Sequence, residues 1–300
     1  MLPVHKRAVP HDATLPALEL ENVGVRYDQT LALENVTLQL ARGARVAVVG
    51  PNGAGKSTLF HVIAGVVRPT EGQVRIYGSR PGGHICVGYV PQRKVIDWDF
   101  PVTVTDVVMM GRVGKMGFFR WPTRHDRESV RAALDEVGMS AFADRQIGEL
   151  SGGQQQRVFL ARVLAQEAEL LLMDEPLTGL DMPSQEAILS LIDRIQAQGV
   201  TVLVALHDLN QASEQFSTML LLNRRLIAFG PPQQVLTTPN LLAAYGGRMH
   251  IVRTGDGEVM LADTCCSGGT ALALPSLTHT AAPVVQPVAQ ETMEGMRPPR

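Results

Sequence analysis

Cysteine is scarce in this chain of 300 residues: Cys86, Cys265 and Cys266 are all it has. Three thiols make no disulfide framework, so the chain is expected in a reducing compartment. No uninterrupted apolar run reaches the ~18 residues that a membrane-crossing helix needs. Met1–Pro16 lacks the continuous apolar segment of a secretory signal and reads as a loose arm over residues 1–16. An excess of one charge is missing too. Lys and Arg number 27 against 29 Asp and Glu, and a net charge of −2 supplies no basic field to recruit nucleic acid. Residues 264–290 contain no Lys, Arg, Asp or Glu and are rich in Ala, Pro and Thr. That stretch is too poor in large apolar groups to fold alone and too broken by proline to cross a membrane, so 254–300 is expected to be a disordered tail. The pair Cys265-Cys266 has no second ligand pair at a zinc-like spacing and is not read as a metal site.

What is present is concentrated in one stretch, Gly50-Pro51-Asn52-Gly53-Ala54-Gly55-Lys56-Ser57-Thr58. An apolar run, Arg45 to Val49, precedes it and a helical pattern follows, so the order is buried strand, glycine turn, helix. Glycines let backbone N–H groups turn inward around an anion, and the following helix adds its positive end. Lys56 can reach the β- and γ-phosphates, and the Ser57 hydroxyl can hold Mg²⁺. A nucleoside triphosphate site is therefore expected here.

The rest of the chain supplies partners for that site. Leu18 to Val25 and Val36 to Leu40 alternate as strands, with Tyr27 between them. Tyr27 reads equally as an edge-strand aromatic or as a ring stacked on adenine. Gln92 follows the strand Ile85 to Val90. Helices are expected over 104–112 and 124–137, the latter capped by Thr123. Between them, Arg112, Lys115, Phe118, Phe119, Arg120 and Trp121 form a cluster of cations and aromatics, read as a docking surface or as a partly buried loop with a charged edge. Leu150-Ser151-Gly152-Gly153-Gln154 opens another helix, whose glycines would leave its N-terminus open to an anion. Leu170 to Asp174 is a buried strand ending in Asp174-Glu175-Pro176. With a phosphate loop on the same chain, Asp174 would hold Mg²⁺ and Glu175 would polarise the attacking water. Asp181 stands near the cap of the helix from Pro183, and His207 ends the next core strand, Val200 to Leu206.

Taken in order, Tyr27, Gly50–Thr58, Gln92, Leu150–Gln154, Leu170–Glu175, Gly179–Asp181 and His207 resemble the ATP-hydrolysing subunits of ATP-binding cassette (ABC) transporters over residues 17 to 252. A further stretch, Asp97-Trp98-Asp99-Phe100-Pro101-Val102-Thr103-Val104 with Asp106 to Arg112, is similar to the subfamily importing manganese, zinc or iron, with siderophore importers close by. The resemblance implies an α/β fold: a P-loop NTPase core with a mostly parallel sheet, an N-terminal antiparallel β-subdomain, and an inserted α-helical signature subdomain at about 93–168, within a domain over 17–253. It implies ATP and Mg²⁺, with Ser57, Gln92 and Asp174 on the metal, Glu175 as general base and His207 on the γ-phosphate. It places Leu150, Ser151, Gly152, Gly153 and Gln154 over ATP held by a second copy, with Asp181 in the loop between copies. The implied partners are that copy, an integral membrane permease and, indirectly, a periplasmic or surface metal-binding protein, at the cytoplasmic face of the cell membrane. A DNA-repair cassette would carry a long coiled coil between Ser57 and Leu150, a translation-factor protein two cassettes, and a P-loop kinase no Leu150–Gln154. None of these patterns is met.

Overall fold

The computed structural model describes residues 14–81, 86–116 and 121–246, together with the strands at 249–254, 257–262 and 271–273. From the amino end come β1 (Leu18–Tyr27), β2 (Thr30–Leu40), β3 (Arg45–Val49), α1 (Lys56–Ile63), β4 (Glu71–Ile76) and β5 (Val87–Val90). Helices α2 (Val104–Met110), α3 (Val113–Met116), α4 (Arg124–Glu136) and α5 (Gly152–Gln166) follow. Next are β6 (Leu170–Asp174), α6 (Met182–Ala197), β7 (Thr201–Ala205), α7 (Leu209–Gln215), and the hairpin of β8 (Met219–Asn223) and β9 (Arg225–Gly230). Two short helices, α8 (Pro232–Val235) and α9 (Thr238–Tyr245), complete the series.

The alternation of Leu18, Leu20, Val23 and Val25 puts one face of β1 inside. β1 is the middle strand of an antiparallel sheet ordered β2-β1-β4, with Leu18 opposite Leu40 and Leu20 opposite Leu38. The second sheet is ordered β5-β6-β7-β3-β8-β9, parallel throughout except for β9. Every residue of β6 and β7 is buried, as expected of parallel strands covered on both faces. Parallel pairing has a functional consequence. The carboxyl ends of β3, β5, β6 and β7 fall on one edge, and they lead into Gly50, Gln92, Glu175 and His207.

The helical lobe is built on three capping boxes. Thr103 with Asp106, Thr123 with Asp126, and Ser151 with Gln154 satisfy the first N–H groups of α2, α4 and α5. Helix α5 belongs to both lobe and core. It packs on α2 and α4, and it also covers the edge strand β5. There Arg162 Nη2 donates to Tyr89 O at 2.8 Å and Gln166 Nε2 to Val87 O at 2.8 Å, satisfying carbonyls that have no further strand to pair with. Gly88 admits the helix: a Cβ there would stand 2.3 Å from Val163 Cγ1.

The chain divides into two compact units, Met1–Met249 and His250–Arg300. The sequence predicts a tail from residue 254, but backbone strands occur within it. β10 (Met249–Thr254), β11 (Gly257–Ala262) and β12 (Ala271–Ala273) form a sheet in that order, with Val259 opposite Ala273 and Leu261 opposite Ala271. The runs Ile251-Val252 and Val259-Met260-Leu261 have strand propensity, and a backbone ladder needs fewer large side chains than the composition argument assumed. Residues 263–270 and 274–300, with Cys265 and Cys266, lie outside the described residues.

Gly111, at the end of α2, has no room for a side chain, because an added Cβ would lie 2.2 Å from the main-chain oxygen of Arg162 in α5. Gly111→Ala is expected to destabilise the fold by about 1–3 kcal/mol, read from the denaturant midpoint. A wild-type midpoint would mean that α2 and α5 do not approach this closely.

Candidate active site

The phosphate loop is held by its neighbours. A Cβ on Gly50, at φ 153°, would stand 2.0 Å from Leu222 O, and one on Gly55, at φ 95°, 2.6 Å from Ala32 O. These glycines therefore serve close packing against β8 and β2 as well as the approach of an anion. Arg224 N–H donates to Ala54 O at 2.8 Å, tying the loop to the β8–β9 turn. Gly55 caps α1 in the left-handed conformation, so the helix begins at Lys56. Lys56 is buried, and its Nζ donates to Gly50 O at 2.7 Å and Pro51 O at 3.2 Å. Burial pulls its pKa below the usual lysine value, and the nearby Glu175 and Asp174 oppose that shift. Asn52, Gly53 and Ser57 are exposed, Pro51 is half-buried, and Ser57 and Thr58 lie in the first turn of α1. Tyr27 is 44% exposed and ends a central strand, so the edge-strand explanation of this aromatic does not apply.

Opposite the loop, β6 delivers two carboxylates. Asp174 is buried, and burial raises its pKa; a hydrogen bond from the Ser57 hydroxyl opposes this, and the neighbouring Glu175 adds to it. Glu175 adopts a left-handed φ of 49°, and its N–H donates to Ala205 O at 3.1 Å. Gln92 Nε2 donates to Glu175 Oε2 at 2.7 Å. A non-glycine residue in this conformation stores strain of about 1–3 kcal/mol, a feature that clusters at active sites. Asp174 pairs in register with Ala205 of β7, so the exposed His207, two residues on, stands at the adjacent strand end. The phosphate loop, Asp174, Glu175, Gln92 and His207 thus share one edge of one sheet.

Ser151 caps α5 and is exposed, with its N–H bonded to Gln154 Oε1 at 2.9 Å. Leu150, just before it, is buried. The two glycines that follow differ in their surroundings. Gly153 is buried, and a Cβ there would lie 2.6 Å from Ser184 Oγ of α6. On Gly152 it would lie 2.8 Å from Arg93 Nη1. Gly153 is small because α5 starts against Ser184 of α6, whereas the atom beside Gly152 is the end of the flexible Arg93 side chain. Asp181 is the cap residue of α6 but makes no side-chain cap bond, and it is exposed beside Met182.

The docking cluster needs a larger correction. Arg112 is 3% exposed and forms no part of a surface. Its Nε donates to Asp126 Oδ1 at 2.9 Å, and its Nη1 donates to Ala165 O at 2.9 Å and Glu167 Oε1 at 2.6 Å. It satisfies a carbonyl at the end of α5, where a cation is favoured by the helix dipole. Lys115 also pairs with Glu167. Trp121 is 90% exposed, and Met110 and Val113 are exposed nearby in sequence; Phe118, Phe119 and Arg120 lie outside the described residues. Sequence reading missed Arg93, Trp98, Asp126 and Glu167 as structural partners; only the acids near a helix start and end hinted at the last two.

The ABC transporter family profile matches residues 33–178. Over 237 residues the chain is 47% identical to a manganese transport system ATP-binding protein of Bacillus subtilis, covering 79% of this chain and 95% of that protein. It is 46% identical over 239 residues to a zinc transport system ATP-binding protein of Treponema pallidum, covering 79% and 90%. Among solved structures, a metal-chelate type ABC transporter in an inward-facing conformation superposes with a TM-score of 0.70 at 31% identity, covering 86% of this chain and 98% of that one. A dimeric ATP-binding cassette bound to ADP and Pi after hydrolysis gives 0.62 at 27% identity, covering 72% and 98%.

Asp174 carries a raised pKa, so its ionised form opposes folding. Asp174→Asn is expected to raise the thermal midpoint of the protein without nucleotide, by about 1 kcal/mol of stability, while abolishing hydrolysis. A lowered midpoint would show that attraction to Ser57 and Lys56 outweighs the burial cost.

Proposed function

Because this chain belongs to the ABC transporter family, as an ATP-binding and ATP-hydrolysing subunit, we propose that it powers import of a transition metal ion, manganese, zinc or iron, through a separate membrane permease. Names of relatives at 44–47% identity support the metal cargo. No helix among the described residues is long and apolar enough to cross a membrane, so attachment runs through the permease. The subunit then lies peripherally, on the cytoplasmic face, and a periplasmic or surface metal-binding protein delivers the ion from the other side. The exposed Trp121, with Met110 and Val113, offers an apolar contact for the permease.

The positions of these residues support the following roles. Tyr27 stacks on adenine at the end of β1. Residues Gly50 to Thr58 wrap the phosphates, and Lys56 Nζ exchanges the Gly50 and Pro51 carbonyls for phosphate oxygens. The hydrogen-bonded Ser57 and Asp174, with the Gln92 amide oxygen left free by its Nε2 bond, are hard oxygen donors that fit Mg²⁺. Bound there, Mg²⁺ would neutralise charge on the β- and γ-phosphoryl oxygens. Glu175 accepts the proton of the attacking water, Gln92 orients its carboxylate, and His207 contacts the γ-phosphate. A second copy supplies the Leu150–Gln154 edge, its exposed Ser151 donating to this copy's γ-phosphate, and Asp181 lies in the seam. ATP then holds two copies together and hydrolysis releases them, moving the permease between two states.

The observation that carries this reading is the 2.7 Å bond from Gln92 to Glu175, beside an Asp174 already bonded to the phosphate-loop Ser57. Glu175→Gln is expected to keep ATP affinity, to lose hydrolysis by about 10²–10⁴-fold and to form an ATP-dependent dimer, read by light scattering. Turnover near wild type would remove Glu175 from the role, and a strictly monomeric variant in Mg·ATP would remove the second copy. Trp121→Asp is expected to leave hydrolysis by the free subunit intact and to weaken co-purification with the permease; unchanged recovery would place docking elsewhere.

A further inference from the structure

Gln92 and Arg93 are neighbours in sequence and serve different parts of the molecule. Gln92 Nε2 holds Glu175 Oε2 at 2.7 Å. Arg93 Nε donates to Gln155 Oε1, in the first turn of α5, at 3.1 Å. Gln155 is 3% exposed, and its other end, Nε2, donates to Ile147 O at 3.1 Å in the turn that leads to Leu150. The guanidinium also occupies the space beside Gly152, with Nη1 2.8 Å from where a Cβ would be. Trp98 fixes Arg93 from behind. Its Nε1 donates to Arg93 O at 3.0 Å, its ring lies 5.6 Å from the guanidinium carbon, and its edge meets Phe159 of α5 at 5.6 Å between centroids.

We infer that Arg93 is a positioning residue that couples this chain's own Gln92–Glu175 pair to the placement of its own Ser151. The inference rests on the two-copy reading above. Within it, Gln92 reports on ATP in its own site, while Ser151 serves ATP in the partner's site. One trans peptide separates Gln92 from Arg93, so any shift of Gln92 from Glu175 towards the metal and γ-phosphate moves the backbone that carries the guanidinium. The guanidinium grips the first turn of a rigid helix through Gln155, so the serine edge shifts with it. Arg93 therefore makes each site sense the other, a coupling between two distinct sites with two arrangements of one element. A planar fork is needed to hold Gln155, border Gly152 and face Trp98 together, and a lysine ammonium cannot do all three.

The test uses the full chain carrying Arg93→Ala, Arg93→Lys, Gln155→Ala or Arg93→Ala with Gln155→Ala. Binding of a fluorescent ATP analogue is expected to stay within about twofold of wild type, since the 50–58 cradle is untouched, whereas turnover falls about tenfold and its Hill coefficient in ATP drops from above one to one. Arg93→Lys is expected to behave like Arg93→Ala, and the double variant to be no worse than either single one, because both remove one contact. Wild-type turnover and cooperativity in Arg93→Ala, full rescue by lysine, or additive losses in the double variant would overturn the inference. So would loss of ATP binding, which would make Arg93 part of the cradle. The ATP-dependent dimer of Glu175→Gln tests the two-copy reading separately. If that dimer forms and Arg93→Ala stays cooperative, the coupling falls alone.

Discussion

Backbone pairing between β6 and β7, and between β7 and β3, holds the chemistry in place. Asp174 lies opposite Ala205, and Ala205 in turn opposite Val48. Each of these residues is one to three positions from a group the reaction needs. A register slip of one residue would turn Asp174 to the other face of the sheet. The strands are buried on both faces, so such a slip would not be punished by solvent exposure of apolar groups alone. The Ser57–Asp174 bond, the Glu175 N–H to Ala205 O bond and the fit of Gly50 on Leu222 O add specific penalties against it. The site thus reinforces the register that creates it.

Helix α5 carries the second constraint. Its start forms the exposed Ser151 edge, its middle covers β5 through Arg162, and its end is closed by Arg112 through Ala165 and Glu167. One helix thus reaches from the exposed Ser151, past the strand leading to Gln92, to the buried Arg112. Packed helices tend to shift as units and do not bend freely. The buried Arg112 network holds this together: Asp126 both caps α4 and accepts from Arg112, and its pKa is held down by Thr123 and Arg112 against the opposing effect of burial. Arg112, which the sequence offered for a docking surface or a partly buried loop, is buried and fastens α4 to the end of α5.

What was legible from the order of amino acids was the chemistry that local sequence must encode. A phosphate cradle needs consecutive backbone N–H groups, so Gly50 to Thr58 stand out as one block. The same holds for Asp174-Glu175 at a strand end, and for the helix caps Thr123 and Ser151. Strands β3, β6 and β7 read as apolar runs because parallel strands are buried on both faces.

Tertiary structure alone decided what joins distant segments. Arg93 meets Gln155 across 62 positions and Arg112 meets Glu167 across 55. A guanidinium has no sequence signature for its partner, since charge and length do not tell where the chain will bring an acceptor. Glycines are similarly ambiguous. Gly152 and Gly153 read as an open anion seat, and the fold adds that Ser184 of α6 leaves no room for a side chain at Gly153. Local backbone geometry and ligand chemistry are written in consecutive residues. Packing between elements exists only once the chain has closed on itself, because each such contact depends on where every intervening residue went.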